Sequence, residues 1–150
     1  MLYYCGLRKG ELLNLDWDDL DLGKDTLTVR TSKNKTGRIV PIHPKVKELL
    51  DTYLSQRLPL KNRALFIGEK GNRMCKASFT NMMNTYLKIS GLKKKGYSAH
   101  SLRHSFATRL IEKNVNLFLV QRLLGHKSLD TTKIYVHFTY NDDLKAVELL

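Results

Sequence analysis

The 150-residue sequence predicts an α+β fold, mainly helical, with one small antiparallel β-sheet. Three observations predict it. Apolar residues recur at helical spacing through most of the chain, one pair of β-branched runs is joined by turn formers, and 42% hydrophobic against 27% charged is the balance of a folded globular domain.

The elements follow in order. "LYYCGLRKGELLNLDW" reads as helical, with Leu2, Leu12, Leu13 and Leu15 apolar and Gly6 marking a break before Arg8. "DTLTVRTS" and "GRIVPI" are short strands separated by "KNKTG", whose Asn34 and Gly37 form a turn, so the pair reads as a hairpin. After Pro44 the series Val46, Leu49, Leu50, Tyr53, Leu54 has helical spacing, "ALFIG" reads as a short strand, and "ASFTNMMNTYLKIS" as a helix ended by Gly91. The basic loop "GLKKKGYSAH" leads into "HSLRHSFATRLIEKN", where Leu102, Phe106, Leu110 and Ile111 form an apolar stripe and His100, Arg103 and His104 share an adjoining face. "NLFLVQRLLG" is helical to Gly125. Asp130 can cap a following helix that carries Tyr135, and "NDDLKAVELL" is amphipathic.

Charge narrows the function. Lysine and arginine total 26 against 14 acids, a net charge of +12, so a polyanion is the expected partner and nucleic acid the commonest one. Acids crowd the opening stretch at Glu11, Asp16, Asp18, Asp19, Asp21 and Asp25, whereas from Thr26 to Lys113 they are Glu48, Asp51, Glu69 and Glu112. The middle of the chain therefore carries the expected phosphate-facing surface, a merely solvated lysine-rich face being the alternative. No apolar run reaches the roughly 18 residues that cross a bilayer, and the N-terminus lacks signal-peptide order, so a cytoplasmic protein with no membrane partner is expected. Cys5 and Cys75 are far apart and lack CxxC spacing, which indicates neither a disulfide framework nor a zinc site.

Arg8, Lys33, His100, Arg103 and His126, with Tyr135 as attacking group, are the residue types suited to a phosphodiester. Guanidinium forks bind two phosphate oxygens and neutralise charge growing on a five-coordinate phosphorus. A lysine or histidine can protonate a leaving oxygen. A phenol, with a reference pKa of about 10, becomes a nucleophile when cations lower it or a base takes its proton. Clustered carboxylates for magnesium are lacking, which leaves metal-free phosphoryl transfer with no cofactor. Each residue also has a plainer role: Arg8 and Glu11 as a surface ion pair, Tyr135 between Ile134 and Val136 as a core residue. His100 and His104 have metal-ligand spacing, but "HSLRH" lacks the glutamate of a zinc protease motif.

The order of the blocks is more specific than any one of them. "GLRKGELLNLDW", a lysine in a hairpin turn, "HSLRH", then "LLGH" with a tyrosine nine residues later resembles the tyrosine recombinases, or phage integrases, of the Xer-like and transposon-integrase branch, from Leu2 to about Phe138. The resemblance implies the recombinase catalytic fold and site-specific cutting and rejoining of DNA through a 3′-phosphotyrosine, without metal or ATP. It implies Arg8 and Arg103 as the two catalytic arginines and Glu11 as the supporting acid of the first. His100 and His126 match the family's histidines, and Tyr135 its nucleophile. Lys33 would be the hairpin general acid, with Lys35 the competing assignment. His104 occurs in the family's box without a role in the chemical step.

The family also implies double-stranded DNA as partner and a homotetramer on DNA, with a monomer possible free in solution and "DDLKAVELL" able to dock on a neighbour or pack within its own chain. Lys35, Lys93, Lys94 and Lys95 are the expected DNA-binding lysines. Because the first residues already look mid-helix, the chain reads as an N-terminally truncated catalytic domain without the family's core-binding domain, and weak, salt-sensitive DNA binding is expected of it alone. A type IB topoisomerase and an inactive DNA-binding remnant are the alternatives; the "LLGH" to tyrosine spacing and small size favour the recombinase.

Overall fold

A computed structural model describes residues 1–30, 37–57 and 62–126. Alternation along two short runs builds its sheet. β2 (Thr26–Val29) and β3 (Arg38–Pro41) pair antiparallel with Leu27 opposite Val40 and Val29 opposite Arg38, and β1 (Leu20–Asp21) adds to the free edge of β2. Leu27, Val29 and Val40 are buried while Ile39 is 68% exposed, so one face of the sheet is core and the other solvent. The expected hairpin is present. The two-residue β1 was not expected, being too short to leave an alternating pattern.

The helices frame that sheet. α1 is confined to Lys9–Asn14: the chain breaks at Gly6 as expected, with a left-handed φ of +63° and Arg8 extended at φ −74°, ψ 151°, but residues 2–5 before the break form a turn and not a helix. α2 (Pro44–Arg57) buries Val46 and Leu50 but leaves Leu49 67% exposed, so Leu49 is not part of the apolar face. "ALFIG" is not a strand: among the described residues Ala64 and Ile67 make isolated bridges, to Asp16 and Arg73. α3 (Lys76–Ile89) ends at Ser90 before left-handed Gly91, as expected.

α4 (Ala99–Glu112) buries Arg103, Ala107 and Ile111, with Leu102, Phe106 and Leu110 only partly covered. The buried line is thus one residue round from the apolar stripe and has an arginine at its head. α5 (Leu117–Leu124) stops at Gly125, as its glycine predicts, with φ +64°.

Two cores result. The larger joins the sheet to α1, α2 and α3 through residues such as Leu7, Leu13, Val40, Leu50 and Phe79. The smaller lies between α4 and α5 at Ala107, Ile111, Val120 and Leu124. Each fully buried leucine contributes about 1.5–3 kcal/mol against its exposed state. The seam between the cores is tight: a Cβ on Gly6 would lie 2.5 Å from the Phe106 ring. Among the described residues, no helix is long and apolar enough to cross a membrane. Cys5 and Cys75 are unpaired thiols.

Candidate functional site at the carboxyl end of helix α5

The last carbonyls of an α-helix have no partner within the helix and sit at the negative end of its dipole. In α5 three successive carbonyls each accept from a different arginine. Arg38 Nε donates to Leu123 O at 2.8 Å, Arg103 Nη2 to Leu124 O at 2.7 Å, and Arg8 Nη2 to Gly125 O at 3.2 Å. The arginines come from β3, α4 and the residue before α1, so this one helix end gathers three separate parts of the chain.

Glu11 binds the same arginines from the other side. Lying in the first turn of α1, it accepts the Arg8 backbone N–H at 2.7 Å on Oε2 and Arg8 Nη1 at 2.9 Å on Oε1. This is the acid-side half of a capping box. Arg38 adds a two-pronged contact, Nη1 to Oε1 and Nη2 to Oε2, both at 2.8 Å, and Arg103 Nη1 stands 3.8 Å from Oε2. Burial pushes the Glu11 carboxyl up, but the Arg38 hydrogen bonds, the Arg8 N–H and the Arg38 charge outweigh it and bring the pKa down to about 2. The pair Arg8–Glu11 is therefore more than a surface contact, since the Glu11 side chain is only 14% exposed.

Arg103 is buried, and its Nη1 donates to Gly6 O at 2.5 Å. Its Nη2 also lies 3.0 Å from His126 Nε2. A guanidinium can only donate, so Nε2 accepts and the ring proton is assigned to Nδ1. Burial lowers the His126 pKa, and the charges of Arg103, Arg8 and Arg38 lower it further, to about 4. The ring is neutral near pH 7. Its position follows from the helix stop, where the His126 N–H donates to Gln121 O at 3.2 Å across left-handed Gly125.

Arg8, Glu11, Arg103 and His126 thus converge. His100 lies one turn before Arg103 on α4 and is exposed, without a hydrogen bond or ion pair to those four. Lys93, Lys94 and Lys95 are exposed on the 3-10 turn Leu92–Lys95 between left-handed Gly91 and Gly96, and Lys93 Nζ donates to Asn84 Oδ1 at 2.7 Å. Lys33, Lys35, Asp130, Tyr135 and the C-terminal amphipathic stretch lie outside the described residues.

Arg38 is the residue that sequence reasoning missed. Its signal was the alternation of its own strand: two residues before buried Val40 and opposite buried Val29, an arginine side chain must turn to the core side and find a partner there. Among the described residues, three guanidinium cations face one carboxylate and a neutral imidazole. The surplus is positive and Arg8 is 43% exposed, so the cluster is suited to an oxyanion approaching from solvent. Among the described residues, no group of three or more His, Cys, Asp or Glu side chains is placed to hold a metal ion.

Comparison with known proteins gives a consistent picture. The phage integrase family model matches residues 1–142. Tyrosine recombinase XerC of Thermodesulfovibrio yellowstonii is 38% identical over 145 residues, covering 91% of this chain and 48% of the relative. Tyrosine recombinase XerA of Thermococcus kodakarensis is 38% identical over 151 residues, covering 99% and 52%. Among solved structures, the XerA recombinase superposes with a TM-score of 0.83 at 33% identity, over 99% of this chain and 54% of that one. XerH site-specific recombinase, bound to a palindromic difH substrate in a post-cleavage complex, does so at 0.81 and 34%, over 97% and 42%. The chain spans about half the length of the curated relatives it matches.

Proposed function

Since the chain belongs to the phage integrase family of tyrosine recombinases, we propose that it supplies the catalytic domain of a site-specific DNA recombinase. The observation that carries this reading is the convergence of Arg8, Arg103 and His126 on one helix end, with Glu11 behind them. In this role Arg8 and Arg103 hold the non-bridging oxygens of the scissile phosphate and offset charge as the phosphorus becomes five-coordinate. His126 donates to a phosphate oxygen from Nδ1, its Nε2 being occupied by Arg103. His100 approaches the same phosphate from the first turn of α4.

The Tyr135 hydroxyl passes its proton to a base and its oxygen forms a bond to phosphorus while the bond to the 5′ oxygen breaks. The departing oxygen takes a proton from Lys33, with Lys35 the competing donor. The product is a 3′-phosphotyrosine and a free 5′ hydroxyl. Because the phosphodiester's energy is kept in the new ester, a 5′ hydroxyl from a second duplex reverses the step without ATP or metal. Double-stranded DNA is the substrate, four copies of the chain act on two duplexes, and Lys93, Lys94 and Lys95 add phosphate contacts. XerH site-specific recombinase, 34% identical, is solved bound to difH substrate in pre-cleavage and post-cleavage complexes, which supports cleavage of a recombination site here.

The test is a trap on nicked duplexes built on the difH sequence and on randomised variants of it, with the full chain and with Tyr135→Phe. A covalent protein–DNA adduct from the first and none from the second is expected. An adduct that survives Tyr135→Phe overturns the assignment of the nucleophile, and no adduct on any duplex overturns the activity.

A further inference from the structure

We infer that Arg38 is a positioning residue of this site, a third guanidinium that never touches the phosphate but sets the geometry of the groups that do. The inference rests on the phosphate-binding reading of the cluster. All three Arg38 nitrogens are engaged: Nε on Leu123 O at 2.8 Å, and Nη1 and Nη2 on the two oxygens of Glu11 at 2.8 Å each. Both of its Nη groups are turned onto the Glu11 carboxylate and its Nε onto a backbone carbonyl, so the guanidinium faces its protein partners. Its contacts instead join the two supports of the site, the carboxylate that orients Arg8 and the helix end that presents His126.

The space for this clasp is reserved by Gly125. A Cβ there would lie 2.7 Å from Arg38 Nη1 and 3.0 Å from its Cδ and Cζ, and the residue's φ of +64° independently favours glycine. The "LLGH" glycine therefore has two reasons to be glycine, one of them Arg38. The clasp also anchors the start of β3. Gly37, just before it, has so little room that a Cβ would meet Val29 O at 2.8 Å.

Arg38 acts on Glu11 within a defined set of charges. Arg8 faces the carboxylate from the start of α1, Arg103 from α4 at 3.8 Å, and His126 from the turn after α5. Losing Arg38 removes the paired hydrogen bonds and one of the charges that offset burial, so the Glu11 carboxyl rises toward its ordinary value of 4.5. A protonated Glu11 no longer accepts from Arg8 on both oxygens.

The experiment uses the full chain with Arg38→Gln and Arg38→Lys and reads two signals. The first needs no DNA: the Glu11 side-chain carboxyl is titrated by carbon NMR, and inorganic sulfate is titrated onto the cluster. The wild type should titrate near 2, Arg38→Gln should move well up toward 4.5, and its sulfate affinity should fall by about 10-fold. The second is the pH profile of covalent adduct formation on the nicked duplex, where Arg38→Gln should gain an acid limb that the wild type lacks. Arg38→Lys keeps the charge and the fold but cannot span both partners, so it should restore the carboxyl in part and the adduct rate incompletely. An unmoved Glu11 titration with unchanged sulfate affinity in both variants overturns the inference. If no adduct forms even with wild type while the NMR and sulfate shifts appear, the strand-cleavage reading fails and the role of Arg38 on the anion cluster stands.

Discussion

Glu11, in the first turn of α1, and Asp16, two residues after its end, look alike: side chains 14% and 12% exposed, each beneath more than one arginine. Their surroundings differ in charge stoichiometry. At Asp16, Arg73 Nη2 pairs with the carboxylate while its Nη1 donates to Leu13 O at 2.9 Å and Leu15 O at 3.0 Å, and Arg63 bridges Asp16 at 3.2 Å to Asp18 at 3.1 Å. Two acids meet two bases there, Arg63 spanning both carboxylates and Arg73 also held by the protein's own backbone. Glu11 is one acid among Arg8, Arg38 and Arg103 beside a histidine kept neutral. An ion-pair cluster that balances is a clasp; one that is positive among the described residues is suited to an anion.

That distinction predicts opposite mutational signatures. Glu11→Gln should slow adduct formation by about 100-fold through misplacement of Arg8, with a smaller loss of stability. Asp16→Asn should cost about 2–3 kcal/mol in urea unfolding yet leave the adduct rate of the folded protein within about twofold. Equal losses of activity in the two variants would erase the distinction.

Next in size is the acid dependence of stability. Glu11 has its folded pKa depressed from 4.5 to about 2, so its contribution is fully present above 4.5 and is lost as the pH falls through about 2. Allowing for solvent screening at the open side of the cluster, that contribution is about 2 kcal/mol, and Glu11→Gln should abolish this part of the pH slope in urea unfolding. His126 also has a depressed folded value, about 4 against 6.5, so stability is present above 6.5 and lost as the pH falls toward about 4. His126→Asn should flatten unfolding midpoints across that window while leaving those above it nearly unchanged. A window unmoved by the substitution would mean that His126 is not the neutral acceptor of Arg103.

The smallest effect concerns lysines remote from either carboxylate. Replacing Lys93, Lys94 and Lys95 together by alanine should reduce the slope of log affinity for duplex DNA against log salt by up to about 2.7, with each single change weakening binding only a few-fold. Lost adduct formation at saturating DNA would instead give the lysines a place in the chemistry.

The parts of the site legible from sequence are those made within a turn or two. Arg8 and Glu11 are three residues apart, and Gly125 stops its helix directly before His126, so local hydrogen bonding announces both. Arg38 was hidden because its partners lie 27 and 85 residues away. The same limit applies to the fold. The β2–β3 hairpin and α3 have strong local patterns, whereas "ALFIG" looked like a strand but makes only isolated bridges to Asp16 and Arg73. Leu49 keeps the helical spacing yet faces solvent, since spacing identifies a stripe but not what covers each member of it.

The sequence by itself determined the order of the blocks, the helix stop at Gly125, the Arg8–Glu11 pairing and the strong positive charge, because each depends on residue type and short-range backbone geometry. Tertiary structure alone decided that Arg8, Arg38 and Arg103 share one helix end and one carboxylate. Three like charges repel once they are brought together. Only packing α1, β3 and α4 around the carboxyl end of α5 places enough carbonyl dipoles and the half-buried Glu11 between them to hold them together.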